Sequence, residues 1–165
     1  MKSERIDHLT LRLVRNAAHR AARNGGFEVC GALIRDSAGV LCFRPLRNIA
    51  TKPAKWNIKT EWLREIRKEL KGGSSRLVGT YHSHVGGYAY PSQMDLDYYP
   101  SGFLMMIYDT MDKRVGLWRT LIRNGEGKLK AIAALCDSPS WKADDAIAYA
   151  QYLRVKFTNG EKRNA

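Results

Sequence analysis

Residues 79–95 read Gly-Thr-Tyr-His-Ser-His-Val-Gly-Gly-Tyr-Ala-Tyr-Pro-Ser-Gln-Met-Asp. Two histidines, His82 and His84, sit at the end of an apolar stretch, Leu77–Tyr81. If that stretch is a strand, its two-residue period puts both imidazoles on one face. Asp95 follows His84 by eleven residues, in a segment that opens at Ser92 and reads as a helix start. Two imidazoles and a carboxylate, from a strand end and a helix start, suffice for a zinc ion with one coordination position open.

Working outward, the preceding chain supplies a helix, a hairpin and a second helix. Residues 8–24 place Leu11, Val14, Ala18 and Ala21-Ala22 on one helical face, with Gly25-Gly26 as terminator. His19 in this helix reads as a surface residue, not a ligand. Phe27–Ile34 and Val40–Arg44 predict two strands around the turn Arg35–Gly39. Glu28 is out of place there, because a carboxylate inside an apolar strand needs a partner or a task. Its ordinary reading is a strand-end side chain reaching solvent. Residues 45–59 are irregular, since Pro45 and Pro53 argue against a central strand, with a short strand expected at Trp56-Asn57-Ile58. Thr60 is the expected N-cap of a helix through Leu70, with Trp62, Leu63, Ile66 and Leu70 on its apolar face.

Beyond the histidines, Val85–Pro91 reads as a loop and Ser92 to about Tyr99 as a helix. Phe103–Tyr108 is apolar throughout, the pattern of a central strand covered on both faces. Val115–Ile122 and Lys128–Leu135 form a hairpin around Asn124–Gly127. A last helix runs from Lys142 to about Phe157. The expected organisation is one α/β domain over residues 1–158, a central mixed sheet flanked by helices, and a polar tail over residues 159–165.

Bulk properties narrow the function. No run of about 18 apolar residues exists to cross a membrane. Charges at Lys2, Glu4, Arg5 and Asp7 interrupt what a signal peptide would keep apolar, so a cytoplasmic protein is expected. Three cysteines, Cys30, Cys42 and Cys136, with no C-x-x-C spacing, read as buried thiols in a reducing compartment. The net charge of +12 predicts an acidic partner. The basic residues are scattered over helix faces, with no block of five or more like charges.

Hydrolysis at a zinc site needs a base to take and return a proton, and a donor for the developing oxyanion. Glu28 is the candidate for the first and Ser92 for the second. Each feature also has a structural reading: His-x-His is common, and Ser92-x-x-Asp95 is an acceptable helix cap. Asp97 is an alternative ligand; on a helix it points about 200° away from Asp95, so only one of them shares a face with the histidines.

Taken together, His82-Ser83-His84, seven residues, Ser92, two residues and Asp95 resemble the H-x-H-x7-S-x-x-D signature of the JAMM (JAB/MPN-domain) metalloproteases. Glu28, shortly before Cys30-Gly31, resembles the upstream glutamate of that family, and the resemblance extends from about residue 8 to 157. It implies an MPN/JAB-like fold with cytidine-deaminase-like layering. It also implies one zinc ion per chain on His82, His84 and Asp95, with Glu28 holding and deprotonating the catalytic water and Ser92 stabilising the tetrahedral intermediate. Family members cleave after the C-terminal Gly-Gly of ubiquitin or ubiquitin-like proteins. Small prokaryotic members act on ubiquitin-like or sulfur-carrier proteins, some within antiviral conjugation operons. The expected partners are therefore a ubiquitin-like protein and its conjugates.

One departure is Val85, where relatives often carry proline after the second histidine. Gly86, Gly87, Tyr88 and Tyr90 are the expected lining of the substrate-tail channel; the tyrosines also read as loop anchors. Two other functions stand beside the peptidase. One is a non-catalytic module that keeps a structural zinc. The other is a nucleic-acid-binding protein, suggested by the charge alone and not expected as a specific partner.

Overall fold

The computed structural model describes residues 4–86, 88–92, 94–95, 102–123, 126–132 and 134–136. Its elements run β1 (Glu4–Ile6), α1 (His8–Arg23), β2 (Cys30–Arg35), β3 (Val40–Leu46), α2 (Thr60–Glu69), β4 (Arg76–His84), β5 (Leu104–Asp109), β6 (Arg114–Arg123), β7 (Glu126–Ile132) and β8 (Ala134–Cys136). The strands form one mixed sheet in the order β7-β6-β5-β4-β2-β3-β1-β8. β4 and β5 are parallel, as are β1 with β3 and β1 with β8; the other pairs are antiparallel.

The two ends of this order, β7 and β8, are separated in sequence by a single residue, so the sheet must curl until its edges approach each other. Glu4 of β1 shows the same closure: its carboxylate pairs with Arg35 of β2 at 2.8 Å and with Arg119 of β6 at 3.3 Å. The fold is thus the expected α/β arrangement around a mixed sheet.

Each face of the sheet carries a core. Alternation along β5 sends Leu104, Met106 and Tyr108 to one face, where they join Leu11, Val14 and Ala18 of α1. Met105 and Ile107 go to the other, with Ala89 and Trp118. α1 is helical because its apolar residues recur at helical spacing. Its first turn is capped by Asp7, whose carboxylate accepts from Thr10 N at 2.8 Å. It ends at Asn24, followed by Gly25 and Gly26, both at positive φ. Burying Leu11 and Val14 contributes about 3–6 kcal/mol before conformational entropy is subtracted.

Several expectations are corrected. β2 starts at Cys30, so Glu28 precedes the strand. β3 continues through Pro45 to Leu46. On β3, the β1 partners are Val40 and Leu41, so no β1 residue lies beside Pro45. Trp56–Ile58 forms no strand. The N-cap of α2 is Lys59, Thr60 being its first helical residue, and only Ile66 of its apolar face is fully buried. The expected strand Lys128–Leu135 divides: β7 pairs with β6, whereas β8 crosses to β1. β1 itself was missed, because three residues with one buried side chain give no periodicity. Of the helix expected from Ser92, Met94 and Asp95 are helical. The rest of that helix, the turn residues Asn124 and Gly125, the last helix and the tail lie outside the described residues.

Candidate metal centre

β4 delivers both histidines. Tyr81 turns to the α1 face, and the alternation puts His82 and His84 on the opposite one. Between them, Ser83 is fully buried and stitches the segment before β2 to this strand. Its amide donates to Val29 O at 2.9 Å, and its hydroxyl accepts from Val29 N at 2.9 Å. That pair of hydrogen bonds holds Glu28, the residue before Val29, in the cleft with His84. Asn48 holds the same segment from the other side by donating to Glu28 O at 2.8 Å.

Asp95 arrives from the loop beyond β4. Its Oδ2 accepts from Ser92 N at 2.7 Å and Ser92 Oγ at 2.6 Å. Its Oδ1 accepts from Trp56 Nε1 at 3.0 Å. The indole also stacks on His82, with ring centroids 4.6 Å apart and planes 15° from parallel. His84 Nδ1 lies 2.8 Å from Tyr88 O. That carbonyl requires the proton on Nδ1 and leaves Nε2 as the basic nitrogen.

The three donor atoms face one another. His82 Nε2 and His84 Nε2 are 3.1 Å apart, and Asp95 lies 3.4 Å and 3.8 Å from them through its two oxygens. Tetrahedral coordination with bonds of about 2.0 Å separates ligand atoms by about 3.3 Å. The spacing and the neutral-imidazole tautomer of His84 therefore fit a metal ion, and among the described residues this is the cluster able to hold one.

Electrostatics sharpen the arrangement. Burial raises the Glu28 carboxyl to about 7, against the pull of His84, a charge nearby, and a hydrogen bond from Val85 N–H. Burial opposes ionisation of Asp95 too, but His82, His84 and Ser92 outweigh it and hold that carboxyl far below the usual range. The histidines move in opposite directions. Burial keeps fully enclosed His82 below its ordinary value. For His84 burial acts the same way, but Asp95 and Glu28 overcome it and raise the group. One carboxylate is thus fixed in its ligand form, and the other is poised to exchange a proton near neutrality.

The model of the prokaryotic homologues of the JAB domain matches residues 10–121. The chain belongs to this family. No curated protein matches the JAB-domain chain. Among solved structures, it is similar to a Desulfitobacterium hafniense protein determined in solution, with a TM-score of 0.61 and 17% identity over 82% of this chain and 94% of that one. A Salinibacter ruber protein gives a TM-score of 0.53 and 16% identity, over 84% and 94% of the two chains. At these identities the likeness concerns the fold.

The JAB-domain site opens into a cleft of about 170 Å³, whose lining includes Glu28, His84, Val85, Ser92 and Asp95. Past Trp56, Lys55 and Met94 it adjoins a second hollow of about 270 Å³. Of the loop expected to line the substrate channel, Gly86 borders the cleft at positive φ. Tyr88 and Tyr90 pack instead on the apolar cluster, with Tyr90 edge-on to Trp118 at 4.9 Å. Gly87 and Asp97 lie outside the described residues. His19 bonds to the Tyr108 hydroxyl at 2.8 Å, far along the chain from the ligand set.

Two residues of the site escaped the sequence reading. Trp56, expected in a short strand, sits instead in irregular chain, and no local pattern points it at the ligands. Asn48 makes four hydrogen bonds, to Glu28 O, Lys55 O, Ala50 N and Asn57 N, which fasten the Trp56 loop to the Glu28 segment. Their roles depend on contacts between segments remote in sequence, and no local pattern marks them.

Proposed function

We propose that this JAB-domain protein is a zinc metallopeptidase that hydrolyses the peptide or isopeptide bond after the C-terminal glycine of a ubiquitin-like protein. The observation that carries the reading is the buried carboxyl of Glu28, lining the same cleft as His84 and Asp95 of the His82-His84-Asp95 cluster. When bound on those three residues, one zinc ion would supply Lewis acidity that polarises a carbonyl and acidifies water.

The chain's own residues do the rest. Glu28 accepts the proton of the attacking water and returns it to the leaving amine. The Val85 amide and the Ser83–Val29 bonds hold the carboxylate in place. Trp56 and Ser92 orient Asp95. To donate to an oxyanion, the Ser92 hydroxyl must turn away from Asp95 Oδ2, so it serves as cap in one state and as donor in the other. The narrow cleft suits an extended, small-residue tail such as Gly-Gly. Free Cys30 and Cys42 suit a reducing cytoplasm.

The deciding experiment compares wild type with Glu28→Gln for zinc content and for cleavage of a ubiquitin-like protein fused through its C-terminal glycine. The expected result is equal zinc and loss of turnover. Unchanged cleavage would remove Glu28 from the mechanism. Equal zinc with no turnover in wild type on any such fusion would favour a non-catalytic zinc module, for which the engaged Ser92 hydroxyl speaks. Conjugate removal in antiviral defence and processing of a sulfur carrier both fall within the proposal, and neighbouring genes separate them.

A further inference from the structure

At the opposite end of β4 from the histidines lies a groove of about 600 Å³ between α2 and the start of that strand. Arg64, Arg67, Lys68, Lys71 and Arg76 line it, with no carboxylate among the described lining residues. Four of these recur at the i, i+3, i+4, i+7 spacing of one helical face, continued past the end of α2 by Lys71. None of the three acids of α2 is among the described lining residues: Glu69 pairs with Arg44 at 2.8 Å, Glu61 lies 3.9 Å from Arg64, and Glu65 is exposed outside the groove. Half-buried Leu70 and Leu77 give the groove an apolar wall.

We infer that this groove is a docking site for an acidic, leucine-bearing segment of a partner protein. The cationic rim meets carboxylates, and the Leu70–Leu77 wall meets an apolar side chain between them. A phosphate backbone would leave that wall unused, and no aromatic residue is among the described lining residues to stack a base. Arg76 and His82 are six residues apart on one strand, about 20 Å at 3.3 Å per residue. A partner seated here therefore leaves the metal centre accessible. The inference goes beyond the peptidase proposal and does not depend on it.

The test uses the full chain, metal-free and zinc-loaded, and fluorescence anisotropy near 0.15 M salt. Its probes are a labelled peptide of Glu-Glu-Leu repeats, a Glu-Glu-Ala counterpart and a labelled DNA duplex. The leucine peptide is expected to bind best. The exposed pair Arg67→Glu with Lys71→Glu should weaken it by about tenfold or more, and Arg12→Glu with Arg20→Glu on α1, equal in net charge, by less than about twofold. Arg67→Gln with Lys71→Gln provides a milder variant should the reversal disturb the fold. Equal weakening by the two pairs, equal binding of the alanine peptide, or tighter binding of the duplex would each overturn the inference.

Discussion

Removing the charge of Glu28 should change how stability depends on pH. The folded carboxyl ionises near 7, against an ordinary value of 4.5, chiefly because it is buried. As pH rises past 4.5 the unfolded chain loses this proton while the folded chain keeps it, so folding becomes less favourable until the folded group also ionises near 7. The penalty is absent well below pH 4.5 and fully developed above about 7. At about 1.36 kcal/mol per pH unit, the gap between the two values sets a ceiling of about 3 kcal/mol. Between pH 5 and pH 8 about 2.5 kcal/mol of it should appear. Glu28→Gln keeps the size and hydrogen-bonding shape of the side chain and cannot ionise. Urea unfolding of both proteins, with chelator present to keep them metal-free, measures the effect at the two pH values. Wild type should lose about 2–3 kcal/mol relative to the variant on going from pH 5 to pH 8. Curves that stay parallel to within about 0.5 kcal/mol would show that Glu28 is not a desolvated carboxylate, and its poise as a base would go with that result.

Trp56→Phe keeps a ring against His82 and deletes the donor to Asp95, so zinc affinity should fall by about tenfold or more in competition with a chromophoric chelator. Zinc uptake by wild type should release protons and weaken as pH falls from 8 to 6, because His84, raised by Asp95 and Glu28, must give up its charge to bind; calorimetry in buffers of different ionisation enthalpy reads this. Gly116→Ala should destabilise the protein by about 2 kcal/mol or more in chemical unfolding, since its Cβ would fall 2.0 Å from Ala89 O, the acceptor of the Trp118 indole at 2.8 Å. Asn48→Ala should cost about 2–4 kcal/mol by the same measurement, through its four hydrogen bonds.

Much of this molecule was legible locally. α1 follows from its apolar spacing and its glycine terminator, and β5 from an unbroken apolar run that is buried on both faces. The ligand set was legible because its members lie on one short stretch with a strand period at one end and a capping pattern at the other. Failures occurred where long-range pairing overrides local pattern. Lys128–Leu135 looks like a single strand, yet sheet closure claims its last residues for β1. Thr60 is a separate case, a one-residue shift of a helix boundary that local pattern does not resolve.

By itself, then, the sequence determined which residues can bind a metal, because residue chemistry and two-residue alternation are local properties. It flagged Glu28 as a carboxylate in want of a reason, and the family resemblance implied a place beside the catalytic water, but no local pattern showed what holds it there. Only the tertiary structure decided that, through Ser83 bonding Val29 and Asn48 bonding Glu28 O across gaps of 54 and 20 residues. Burial there raises the carboxyl to about 7, and burial is a property of the assembled fold, absent from any segment of the chain alone.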